Sequence, residues 1–514
     1  MAYVHPNALH VVQPERLGRN GKRQKVDLPR VLRGHGARAW NRAAGTTRAA
    51  RFVALLALAG TLGVAPGPTP AERTAAYMQR ARPQPERLYD FLMRMPKGGD
   101  LHHHLTGSVY AESYIDYAIE DGDCIDAMSF AIVAPPCSEP ATLPATQAVT
   151  DFVLRNHVID ALSIRNFHAT ALDEDVRLHF FATFEKFDRV TNGHWGEMFA
   201  EVVHRAATEN EIYLETMLTP DQGEVLHLAT QVRYTDDFAA LRSALLAAGL
   251  RKAVADGRHN LDIGEAGMRE RFRCGTSVAD VGCGLTLRFQ YQVLRAFGRA
   301  SVFAQMLAGF EMARVDRRVV AINLVQSQDE FNALHDFTLH MRMLDYLHRV
   351  YPHVHISLHA GELTPGEAKP EELWGSHIRQ SIEIGHAERI GHGLDIVYER
   401  DAPRLLAKMA RNHILVEDCL FSHEVVRGMY GRDNVLPIYL RNHVPIALAT
   451  DDEAVVRSDL TDYFLRAVVG YGVDYPTLKT FARNSIRYAF VDPATKHVLE
   501  ARLETEFAHF ESNF

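Results

Sequence analysis

The sequence predicts an α/β fold, a (β/α)8 barrel with a largely helical insertion at the C-terminal face of its strands, on three observations. Eight short apolar or β-branched runs recur along the chain, at 100–104, 212–218, 285–293, 319–324, 354–359, 389–392, 414–417 and 446–450. Between them lie stretches whose apolar residues repeat at helical spacing, such as 302–314 and 334–351, after a helical lead-in near 86–95. Residues suited to metal chemistry fall at the ends of runs one, five, six and eight, and a barrel of alternating strands and helices carries its site at that end.

The first run ends in His102-His103-His104. Residues i and i+2 of a strand share a face, so His102 and His104 can reach one ion while His103 points away. A histidine-rich chain shows such pairs by chance, and His353-x-His355 is a second one. That pair opens the fifth run, at the other end of the barrel from His359, and reads as structural. Three further segments strengthen the first pair: Ser357-Leu358-His359-Ala360-Gly361-Glu362, Arg389-Ile390-Gly391-His392-Gly393 and Ala449-Thr450-Asp451-Asp452. A catalytic zinc needs three or four N, O or S ligands and an open position for water, which two histidines on one strand, one on a second and an aspartate on a third would supply.

Composition fits a large globular enzyme: 47% of residues are hydrophobic and 23% charged. A net charge of −8 and a pI near 6.4 argue against nucleic acid as a partner and toward a small molecule. Residues 1–71 are set apart as a basic extension and signal peptide. Arg16, Arg19, Lys22, Arg23 and Lys25 begin a basic stretch that leads to an apolar run at 52–65, too short for a comfortable membrane span and suited to an export signal. Removal is expected near Ala71, leaving no stable membrane insertion; a basic tail followed by a buried helix is the alternative. Residues 72–514 form the barrel, with 110–205 as the insertion. Cys124 and Cys137 flank one short loop and Cys274 and Cys283 another, with Cys419 left over. Two local disulfides in an exported protein, periplasmic or secreted, fit this pattern, and five free thiols are the alternative. A homodimer is left open.

Met95-Pro96-Lys97-Gly98-Gly99-Asp100-Leu101-His102-His103-His104, Tyr213-Leu214-Glu215, His359-Ala360-Gly361-Glu362, Arg389-Ile390-Gly391-His392-Gly393 and Thr450-Asp451-Asp452 together resemble the ordered motifs of adenosine deaminases. The likeness is greatest to the secreted growth-factor-type branch and its exported bacterial relatives, and it spans roughly Tyr77 to the C-terminus. It implies one zinc per chain held by His102, His104, His359 and Asp451. Such an ion activates water by lowering its pKa from about 15.7 toward 7. It also implies that Glu362, protonated through burial, gives a proton to purine N1. His392 takes the water proton or steadies the developing oxyanion, Asp451 orients the attacking water, and Asp452 hydrogen-bonds N7. Two-metal barrels of this superfamily carry a modified lysine at the end of strand four; residues 319–330 contain none.

The departures from the family lie around the substrate. Thr106 stands where many adenosine deaminases place a ribose-binding aspartate, and Gln326-Ser327-Gln328-Asp329-Glu330 replaces Ala-Gly-Asp-Glu, so Gln326 is expected near the purine edge. The insertion contributes Phe184 as a candidate lid residue over the base; with Phe180, at i and i+4, it reads equally as helix core. The expected reaction is hydrolysis of adenosine, and of 2′-deoxyadenosine, to the inosine product and ammonia. Two alternatives are another substrate on the same barrel, including other 6-aminopurines, and a non-catalytic secreted signalling protein.

Overall fold

The computed structural model describes residues 67–169 and 175–514, so the basic stretch and the apolar run of the expected export signal lie outside the described residues. Eight parallel strands build the centre: β1 Gly98–His104, β2 Glu211–Leu218, β3 Thr286–Leu294, β4 Val319–Val325, β5 His355–Ala360, β6 Arg389–His392, β7 Leu415–Asp418 and β8 Ile446–Leu448. Each pairs with the next in chain order. The ring closes just past β8: the Asp451 N–H donates to the His102 carbonyl at 2.8 Å, and the His104 N–H donates to the Asp451 carbonyl at 2.9 Å. The fold is the predicted (β/α)8 barrel.

Strand eight is two residues shorter than its apolar run. The Asp100 carboxylate accepts from both the Thr450 N–H (2.9 Å) and its hydroxyl (2.6 Å), which draws the chain off the ladder before Asp451. Strands buried on both faces read as continuous apolar runs, as β4 nearly does; β1 and β2 are also buried at every position, although β1 carries Asp100 and three histidines. Helix Arg299–Val315 shows the same effect outside the ring. It is buried from Val302 through Met312, wedged between the β3 and β4 face and helices Leu250–Arg271 and Phe337–Val350. Its apolar residues therefore lie all round it.

Between β1 and β2, helices Ala111–Glu120, Phe152–Ala161, Val176–Phe187 and Trp195–Thr208 accompany a small antiparallel sheet of Cys124–Asp126, Ile132–Val133 and Thr142–Pro144. Residues 110–205 were expected to be largely helical; the small sheet, with strands of two or three residues, is too short to leave a periodic signal. Cys124 is bonded to Cys137 and Cys274 to Cys283, while Cys419 is free and buried. Among the described residues no helix is long and apolar enough to cross a membrane.

Candidate active site

The seam that closes the barrel also assembles the site, because Asp451 and the two histidines of β1 are the residues joined across it. His102 Nε2 lies 3.0 Å and His104 Nε2 3.1 Å from His359 Nε2. Asp451 Oδ1 is 3.7 Å from the first of these nitrogens and 3.4 Å from the second. All four residues are buried. The residues here form two overlapping groups that could hold a metal ion, His102, His359, His392 and Asp451 in one and His104, Asp451 and Asp452 in the other, and imidazole nitrogens with a carboxylate oxygen fit an ion of the zinc type.

The far side of each ring supports that fit. His102 Nδ1 contacts the Glu417 carboxylate at 2.7 Å, His104 Nδ1 contacts Gln292 Oε1 at 3.3 Å, and His359 Nδ1 contacts Asn323 Oδ1 at 2.9 Å. Each oxygen accepts an Nδ1–H, which turns the Nε2 lone pair inward, as ligation requires. Burial pushes His359 well below the ordinary histidine range, with His102 adding to the effect, and burial pushes His104 down to about 4, so both stay neutral. For His102, burial acts in the same direction but the Glu417 hydrogen bond and charge outweigh it and raise the group. A proton and a metal ion are alternatives at its Nε2. Gly391 makes room for this ring: a Cβ there would sit 2.5 Å from His102 Cε1.

His103 points away, as the strand alternation predicts, with Nδ1 2.8 Å from the Thr216 hydroxyl. His392 closes the other side, its ring centroid 4.8 Å from that of His102 and 4.9 Å from that of His359. Its Nε2 is buried without a hydrogen-bond partner among the described residues and lies 3.8 Å from Glu362 Oε1. His392 and Asp451 adopt positive φ, 68° and 65°, the kind of backbone strain that gathers where side chains must be aimed. Ser422 donates to Asp451 Oδ2 at 2.9 Å. Asp452 Oδ1 is another buried atom without a hydrogen-bond partner among the described residues; burial and then the adjacent Asp451 push its carboxyl well up. Asp452 fits only because residue 107 is glycine, where a Cβ would fall 1.7 Å from that oxygen.

Glu362 occupies a setting the sequence does not show. Arg295 donates to its Oε2 and Arg427 to its Oε1, each at 2.7 Å, so the buried side chain is clasped by two guanidinium groups. Arg295 also donates to the carbonyls of Gln326 and His359. Arg427 also holds Glu367 at 2.7 Å and lies over the ring of Phe181.

The expected substrate contacts divide. Thr106 is half-buried on the turn after β1, with its carbonyl accepting from Tyr114. The Gln326 side chain is committed to the scaffold, its Oε1 accepting from the Ala296 N–H at 2.9 Å. Gln328 is better placed: its Oε1 accepts from the Glu362 N–H at 3.0 Å, and its buried Nε2 has no partner among the described residues. Phe184 packs between Phe180 and Phe187 inside the insertion, and Phe181 is the ring on Arg427. An aromatic run places several rings on one helix and does not say which one faces the site.

A closed parallel barrel with a buried His/Asp cluster at its C-terminal strand ends defines the class of metal-dependent hydrolases called amidohydrolases. The family model for adenosine deaminase matches residues 232–506, more than half of the 514-residue sequence. The chain belongs to the adenosine deaminase family, hydrolases acting on C–N bonds. An adenosine deaminase of Salmonella typhi is 24% identical over 406 residues, 79% of this chain and 96% of that protein, a span that exceeds the family match. Two solved structures share the fold. Adenine deaminase of Arthrobacter aurescens has a TM-score of 0.53 at 18% identity, covering 80% of this chain and 99% of its own. An amidohydrolase of Burkholderia ambifaria with bound Zn has a TM-score of 0.55 at 17% identity, covering 83% and 94%.

Proposed function

We propose that the protein hydrolyses the 6-amino group of adenosine and 2′-deoxyadenosine, adding water at C6 and releasing ammonia, with one zinc held by His102, His104, His359 and Asp451. The observation that carries this reading is the set of unpartnered buried atoms beside the four-residue cluster: His392 Nε2, Asp452 Oδ1 and Gln328 Nε2. A bound purine offers each of them a use. Zinc there supplies water activation. His392 Nε2, as an acceptor, takes a proton from the attacking water. Glu362 gives one to N1. Asp452 meets N7, and Gln328 rather than Gln326 meets the N3 edge. Thr106 lacks the charge of an aspartate for a ribose hydroxyl, so 5′-altered adenosines are tolerated.

A second reading, another 6-aminopurine as substrate, draws on the adenine deaminase among the structures that share the fold and on the changed pocket residues. A panel of adenosine, deoxyadenosine, adenine, AMP and S-adenosylhomocysteine, followed by ammonia release, separates the two. Adenosine is expected to rank with the best substrates. Turnover of adenine or AMP without adenosine would replace the first reading by the second. We also propose export of the chain, consistent with its two disulfides.

A further inference from the structure

The last residue of β7 and the short helix after it build a polar chain behind His392. His392 Nδ1 lies 3.1 Å from His423 Nε2, and His423 Nδ1 lies 3.3 Å from Asp418 Oδ1. The three side chains are 4%, 1% and 0% exposed, so solvent does not mediate between them. Neither Asp418 oxygen, nor His423 Nδ1, has a hydrogen-bond partner elsewhere among the described residues. A buried carboxylate without a partner is costly, and a small approach of His423 Nδ1–H to Asp418 satisfies both.

We propose that His423 and Asp418 are positioning residues that fix the tautomer and ring orientation of His392. The inference rests on the deaminase reading of the site. With its Nδ1–H directed at Asp418, His423 presents Nε2 as an acceptor, and that acceptor takes the Nδ1–H of His392. The Nε2 lone pair of His392 is thereby left bare, and this is the atom found buried and unpartnered on the Glu362 side. A carboxylate that orients an imidazole in this way serves the same end in hydrolases built on other folds. Here a second imidazole is interposed, because Asp418 ends β7 while His392 ends β6. Cys419 Sγ also lies close to both rings, so a second metal bound by His392, Cys419 and His423 is the competing use of the same atoms.

Asp418→Asn is the deciding substitution. An asparagine turned to donate to His423 Nδ1 reverses both hydrogen bonds and leaves a proton on His392 Nε2. We expect kcat to fall by about 10² or more, within the range for general acid–base catalysis, with KM and metal content kept. In His423→Asn the new Oδ1 still accepts from His392, so the fall is smaller than in His423→Leu, and adding Asp418→Asn to His423→Asn costs little further. Full additivity of the two asparagine substitutions would overturn the proposal, as would loss of a second metal equivalent from either single variant. A readout without turnover separates this from the choice of substrate. Unliganded protein should show a proton resonance downfield of the amide envelope that is lost in Asp418→Asn and in His423→Asn and kept in Glu362→Gln. Its absence from the wild-type protein would sink the relay even if adenosine is deaminated; its presence with no purine turned over would leave the relay standing and reject the deaminase reading.

Discussion

Glu362→Gln keeps the shape of a side chain clasped by Arg295 and Arg427 but removes its acidic proton, so it isolates proton donation from packing. Turnover should fall by roughly 10²- to 10⁴-fold with metal retained; near-normal kcat in the verified variant would remove Glu362 from the reaction. At this scale the sequence is informative about ligands and silent about what surrounds them. His102, His104, His359, Glu362, His392, Asp451 and Asp452 stand in local patterns, and the structure brings all seven to one place. Glu417, Asn323 and Gln292, which contact the rings of His102, His359 and His104, and Arg295 and Arg427 do not, because each meets its partner from a different strand or loop. Glu417 left one trace, a carboxylate in an otherwise apolar run. It accepts from Ser357 and pairs with Arg389 as well as His102, so it ties β5, β6 and β7 to β1.

Helix Val176–Phe187 of the insertion is tied across the strand ends by Arg177, which pairs with Asp329 at 2.9 Å and Glu367 at 3.3 Å, and Glu367 in turn holds Arg427. Arg177→Ala should loosen this cover by about 1 kcal/mol, the scale of one partly exposed ion pair. That corresponds to ~5-fold in KM, with a smaller change in kcat; unchanged KM would show that the helix does not cover bound substrate. Helix Phe337–Val350 carries a different kind of strain. His340 is buried with neither ring nitrogen bonded among the described residues, and burial pushes it down to about 4 from an ordinary value near 6.5. A lowered histidine contributes stability that is complete above pH 6.5 and is lost as the pH falls toward 4. The amount is about 3 kcal/mol. His340→Leu should therefore flatten the loss of unfolding free energy between pH 6.5 and 4, and an unchanged slope would place the acid sensitivity elsewhere. The element boundaries themselves were largely legible, since a parallel barrel strand is a bounded apolar run. The shortened β8 was not, because Asp100 captures Thr450 from the far side of the closing seam.

For the molecule as a whole, closure of the barrel and assembly of the site are one event, since the seam runs through His102, His104 and Asp451. Covalent ties lie away from it, in the insertion and in the loop before β3. Mass spectrometry of exported protein should find crosslinked peptides joining Cys124 to Cys137 and Cys274 to Cys283, with Cys419 free and an N-terminus near Glu72. Such a cut removes Thr69, whose side chain caps helix Pro70–Ala81, and that helix still docks through Thr74, Met78 and Ala81. Five reduced thiols on an uncleaved chain would contradict export. A single metal in the seam is proposed to serve deamination of adenosine, and the most direct test is to measure bound zinc and adenosine deamination on the same samples as chelated protein is reloaded. Activity should rise in proportion to zinc and level off at about one ion per chain, with inosine and ammonia formed in equal amounts. Full activity in metal-free protein, or activity that appears only as a second tightly held ion enters, would contradict it.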